Sequence, residues 1–192
     1  MLSEIKESKE DVNPIDLKNN KDEKELAKEE LIFNIQTLVA EGKYKEADKI
    51  IKLSLSKNYN DPQMLSLSAL VAVAMQDWVQ AIARLHVVIK IQGEDTPPLP
   101  HLLLIRSYRC SGQLVEAMKA AELAVKTHAN NEEIVNEAAI IAEDLGEWES
   151  AALALEVLIE MHEMDGKEIP VALKTRLQTA KSLSEVLKAE DK

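Results

Sequence analysis

The sequence predicts an all-α protein built as a stack of helix-turn-helix units, and three observations carry that prediction. Its 192 residues hold only 5 Gly and 6 Pro, roughly half the usual supply and too few for turn-rich β architectures. From Lys28 onward Ala, Leu, Ile and Glu recur at helical spacing. A short turn pattern also returns at a fixed period. It reads Gly42-Lys-Tyr44-Lys-Glu-Ala47, then Gln76-Asp-Trp78-Val-Gln-Ala81, Gly112-Gln-Leu114-Val-Glu-Ala117 and Gly146-Glu-Trp148-Glu-Ser-Ala151. Gly42, Gln76, Gly112 and Gly146 stand 34, 36 and 34 residues apart, a period that belongs to stacked helix pairs.

Residues 1–25 come first, dense in Lys, Glu, Asp and Asn with few large apolar groups. Such a segment cannot bury enough surface to offset its ordering entropy, so an acidic, disordered tail is expected. Four units follow, over about 28–61, 62–97, 98–131 and 132–165. In each, a first helix runs up to the Gly (or Gln76), where a left-handed turn ends it. A large side chain two residues later opens the second helix. The Ala five residues past the Gly faces the first helix and lets the axes approach to roughly 8–10 Å. Asn60-Asp-Pro62, Asp95-Thr-Pro-Pro98 and Asn130-Asn131 separate one unit from the next, with Pro62 and Pro98 at first helical positions, where a missing N–H costs nothing. The 36-residue offset places its two extra residues in the loop Gly93–Pro100, where insertion is cheap. A last helix over 168–188 repeats Leu173, Leu177, Ala180, Leu183 and Leu187 at steps of three or four. Its other face carries Lys174, Arg176, Gln178, Lys181, Ser184 and Lys188, as suits a helix that covers the open flank of the final unit.

Charge and chemistry narrow the function. The formal net charge is −11, which repels phosphate backbones and anionic lipid, so neither nucleic acid nor a membrane surface is an expected partner. The longest apolar run, Ala69 to Met75, is far short of the roughly 18 residues of a spanning helix. With no secretory signal pattern and one cysteine, Cys110, a cytoplasmic protein is expected. His86, His101, His128 and His162 are dispersed, with no HExxH, no Cys-x-x-Cys and no His pair at i, i+4. No metal or cofactor is expected from that spacing. Cys110 has no partnered His, and Glu143/Asp144 and Glu160/Glu163 read as a solvated acidic face. No Gly-rich phosphate loop is present. No enzyme is expected, and no small-molecule substrate.

The repeated units resemble the tetratricopeptide repeat (TPR) family, whose second helix opens with Gly-x-Tyr/Trp-x-x-Ala. The third unit matches best, with Tyr108 four residues before Gly112 and with Ala117 and Ala124 at the family's small positions. The second departs at Gln76 and Ala72; the first departs at Ile35, Leu38 and Ser54; none ends in the family's Pro. The resemblance implies a right-handed superhelical solenoid of about four units with a C-terminal capping helix. It also implies a scaffold or adaptor that holds a peptide or helical segment of a protein partner in a concave groove. In phase with the repeats, the groove residues are Ile32 and Gln36, Ser66 and Leu70, Leu102 and Arg106, and Asn136 and Ile140. Relatives that clamp a chaperone's C-terminal carboxylate use Lys and Asn in such places. Here Ile, Ser and Leu stand there, with Arg106 the single cation, so that ligand is disfavoured. Two readings of the apolar groove stand open: side chains buried against neighbouring units, or an exposed channel with Arg106 anchoring an acidic group. A second function within the resemblance is a secretion-type chaperone of the kind found in type III systems, holding an apolar segment of a client.

Overall fold

The computed structural model describes residues 14–190. Among these, nine α-helices and a single 3-10 turn follow one another with no strand. They are α1 Pro14–Ala40, α2 Tyr44–Lys57, α3 Pro62–Ala74, α4 Trp78–Gln92, α5 Pro98–Cys110, α6 Leu114–Thr127, α7 Glu132–Leu145, α8 Trp148–Met164 and α9 Val171–Glu190. The start of the chain is described only in part. The tail expected over 1–25 lies outside the described residues through residue 13, and from Pro14 its chain is already helical. The Lys and Glu that make this stretch too polar for a core are good helix formers. The packed half of α1 supplies the nucleus from which they propagate.

Turn chemistry ends the helices as the repeat requires. At four junctions two amides close back on the preceding helix in one pattern: Gly42 N–H to Val39 and Lys43 N–H to Leu38, Gln76 to Val73 and Asp77 to Ala72, Gly112 to Arg109 and Gln113 to Tyr108, Gly146 to Glu143 and Glu147 to Ala142. This double closure needs a positive φ at its centre. Gly meets it at three of these junctions and Gln76 at φ 59°, and Gly166 repeats the closure after α8 at φ 64°. Asp61, Asp77 and Asn131 cap α3, α4 and α7 by accepting amide hydrogens of Met64, Gln80 and Ile134.

Within each pair the small residue does what its size allows. Ala47, Ala81, Ala117 and Ala151 are wholly buried where the two helices meet. Between pairs, α1 packs on α3, α3 on α5 and α5 on α7, while α2, α4, α6 and α8 stand further apart. The stack therefore curves with its first helices inside and its second helices outside. Met64 and Val71 of α3 sit in the core of the unit before, as do Ile134 and Ile141 of α7. Their equivalents on α1 are Glu30 and Thr37, both exposed. Polar residues thus stand on the N-terminal flank of the stack where later units bury apolar ones, although Phe33, 72% exposed, stands on it as well. At the other end Leu173 and Ala180 of α9 bury against α7 and α8. The molecule is a TPR-like right-handed solenoid, and its ends are finished differently.

Candidate functional site

The eight predicted groove residues all lie on the inner helices, and the structure sorts them into two groups. Ile32 is half-buried against the first core. Gln36 is exposed. Ser66 is half-buried and donates its hydroxyl to the Pro62 carbonyl at 2.8 Å. Leu70 is 37% exposed, and Ile140 is half-buried. The remaining three are corrections to an open channel with a free cation. Leu102 is 5% exposed, packed with Ile105 and Ala121 in the core of the third unit. Arg106 Nε donates to Glu137 Oε1 at 2.6 Å, and its Nη2 donates to Glu133 Oε2 at 3.3 Å. Asn136 Oδ1 accepts from Arg176 Nη1 at 2.9 Å.

Arg106 and Asn136 belong to a ladder of charges that ties the inner helices together. Glu137 is 3% exposed, and its second oxygen accepts from Arg109 Nε at 3.0 Å. One carboxylate of α7 thus meets two guanidinium groups of α5. On the other side of α7, Arg176 of α9 grips Glu143 with Nε and Nη2, at 3.0 and 2.9 Å. That fork geometry is what Arg offers a carboxylate and Lys does not. Burial pulls the pKa of Arg106 down, but Glu137 and Glu133 outweigh it and hold it above its ordinary value. Arg176, read from sequence as part of a solvent-facing stripe, is half-buried against α7 instead. Sequence reasoning missed Glu137, Arg109 and Arg176 as partners. The signal was in the repeat phase, because Glu137 and Phe33 share one position and that position meets the preceding inner helix.

The outer helices carry a second surface. Leu53, Val87, Leu123 and Val157 occupy one repeat position on α2, α4, α6 and α8, and all are between 38% and 64% exposed. A soluble helix does not need an aliphatic residue there in every unit. Between α6 and α8 this row borders a cleft of about 580 Å³. Its floor is Val135, Ala138 and Ala142 of α7, where small side chains leave the hollow. Its walls are Met118 and Val125 of α6 and Leu153 and Val157 of α8; Glu122, Lys126, Glu147 and Ser150 form the rim. A smaller cleft of about 260 Å³ repeats the arrangement between α4 and α6, with Ile89, Leu104 and Leu123 among its lining.

The histidines and Asp61 are engaged with neighbouring groups. His86 Nε2 lies 2.6 Å from Tyr108 Oη. His101 and His128 stack edge to face with ring centroids 5.2 Å apart. Burial, and then the neighbouring His128, hold His101 below the usual imidazole pKa. His162 Nδ1 sits 2.9 Å from the Leu158 carbonyl. Burial pushes the Asp61 carboxyl up, yet the Lys28 ammonium 2.8 Å away and the amides of Met64 and Gln63 bring it below the ordinary carboxylate range. Among the described residues no three His, Cys, Asp or Glu side chains gather as a metal site. Nor is any helix among them long and apolar enough to cross a membrane.

Known structures share this architecture. A crystal structure of MamA superposes with a TM-score of 0.70 at 14% identity, covering 81% of this chain and 81% of that one. MamA from Desulfovibrio magneticus RS-1, residues 41 to its end, gives 0.61 at 17% identity over 71% of this chain and 75% of that one. The Sgt2 TPR domain from Aspergillus fumigatus gives 0.54 at 23% identity over 69% of this chain and 83% of that one. No protein-family model and no curated protein sequence matches the chain. The likeness is one of fold: a TPR-like helical repeat.

Proposed function

We propose that this solenoid is a non-enzymatic interaction scaffold of the cytoplasm that docks an apolar segment of a protein partner on its outer face, in the α6–α8 cleft. The observation that carries the proposal is the aliphatic row at one repeat position, whose last member, Val157, lines a cleft with an alanine and valine floor. Leu153 and Val157, 60% and 40% exposed, both line this cleft, and covering each contributes about 1 kcal/mol toward docking. Exposed apolar surface rimmed by polar groups is the usual mark of a protein-binding site. The inner face favours this placement too, because its arginines and carboxylates are spent holding helices together rather than facing a ligand. The net charge of −11 argues against nucleic acid, and the exposed thiol of Cys110 accords with a reducing compartment.

A second reading keeps the partner on the inner face, at the end where no ladder closes it. Leu70 and Phe33, which are 37% and 72% exposed, favour it. One paired experiment separates the two. Quantitative mass spectrometry of pull-downs compares the full chain with Leu153→Glu/Val157→Glu and with Gln36→Glu/Leu70→Glu. The outer-face proposal expects the partner to be lost from the first variant and retained by the second. Loss from the second alone moves the site to the inner groove.

A further inference from the structure

We infer that the occupant of the α6–α8 cleft is an amphipathic helix of a partner protein whose aliphatic stripe is bordered by Lys or Arg. The inference rests on the outer-face reading and adds the chemistry of the ligand.

The backbone decides between a helix and an extended strand. Both walls and the floor of the cleft are α-helix, so their amides and carbonyls are already paired within their own helices. An extended peptide laid there would find no main-chain partners, and its own N–H and C=O groups would lose water without replacement. A helix arrives with its backbone satisfied and offers only side chains. The length also fits. Glu147 and Val157 bound the cleft along α8, a run of about 15 Å at the helical rise. Anchors at i, i+3 or i+4, and i+7 span about 10 Å and leave a turn for a flanking charge.

Charge then selects the border of that helix. Glu122 and Glu147 stand on the rim and form no ion pair among the described residues, and Lys126 is the single cation of the lining. Helix α8 carries Glu149, Glu156, Glu160 and Glu163 and no Lys or Arg. Lys188 and Lys181 of α9 neutralise Glu149 and Glu156, which leaves Glu160 and Glu163 without a cation among the described residues. A helix with basic flanks meets these carboxylates, whereas an acidic one is repelled. The same sign argues against a second copy of this chain, which would bring another −11 charges to the contact.

Three synthetic helices of about 18 residues test the inference by calorimetry against the full chain. One has a leucine stripe bordered by Lys, one the same stripe bordered by Glu, and one the Lys composition with its apolar order scrambled. The expected result is binding of the first about tenfold or more tighter than the second, with a gap that narrows at high salt, and no comparable binding of the scrambled helix. Leu153→Glu/Val157→Glu abolishes that binding, and Glu122→Gln/Glu147→Gln weakens it. These residues lie on the cleft's exposed rim and walls, and circular dichroism checks that each variant keeps its helices. Equal affinity for the Lys- and Glu-bordered helices overturns the inferred charge while sparing the outer-face reading. Equal binding of the scrambled helix reduces the effect to net attraction and overturns the inference as well. Binding that survives Leu153→Glu/Val157→Glu contradicts both, and so does the absence of binding by all three. Self-association that disappears in Leu153→Glu/Val157→Glu would give the cleft to a second copy and overturn the partner proposed.

Discussion

Gln76 holds the left-handed conformation that Gly holds at the equivalent turns, with φ 59° where Gly42, Gly112 and Gly146 have 73°, 78° and 74°. A side chain with a Cβ is strained in that region, and Gly is not. Gln76→Gly therefore stabilises the fold by about 0.5–1 kcal/mol, after allowing for the extra freedom Gly brings to the unfolded chain. Urea unfolding followed by tryptophan fluorescence measures it. His101 makes a second prediction at this scale. Its burial beside His128 lowers the folded-state pKa from 6.5, so the unfolded chain binds the proton first. Stability is fully present above 6.5 and is lost as pH falls toward the lowered folded value. Denaturation midpoints measured from about pH 8 to about pH 5 should decline below the imidazole's ordinary value, and His101→Phe should flatten the decline. Asp61 works lower on the scale. Its carboxyl is held below 3.8 by the net of burial, Lys28 and two amides, so its contribution is present above that value and disappears in stronger acid.

At the scale of elements, local signals were readable and distant ones were not. The Gly-x-aromatic turn, the capping residues Asp61 and Asn131, and the buried Ala row are set by neighbours a few residues away, and a sequence displays them directly. The pairing of Arg106 with Glu137 spans 31 residues and depends on how one unit leans on the next. That is why Arg106 looked like a free cation and Leu102 looked like groove lining. Arg176 was misread for the same reason: its position on α9 seemed polar and outward, but α7 supplies Glu143 and Asn136 opposite it. The ladder has a measurable worth. Glu137→Gln leaves Arg106 and Arg109 without their shared charge, at a cost of about 2 kcal/mol. This is less than a fully buried pair loses, because both arginines keep contact with solvent. The shift of the urea midpoint reports it. Helix α9 has a larger share. A chain ending before Glu168 exposes the flank against which Leu173 and Ala180 pack, and we expect its melting temperature to fall by about 8 °C or more with aggregation above it, visible by light scattering.

For the whole molecule, the curvature separates two surfaces with different chemistry. The inner one is crossed at its C-terminal half by ion pairs that join α5, α7 and α9. The outer one repeats an exposed aliphatic residue in every unit and hollows between α6 and α8. The repeat itself made the fold legible, since a period of about 34 residues has few other solutions. Which face binds was not legible, because exposure is a property of the stacked array and not of any one helix. The direct test is a photo-crosslinking side chain placed at Leu153 in one preparation and at Leu70 in another, with the adducts mapped by mass spectrometry after irradiation in cells. The account predicts a partner adduct at 153, on a segment that reads as a basic amphipathic helix, and little at 70. An adduct at 70 with none at 153 would contradict it.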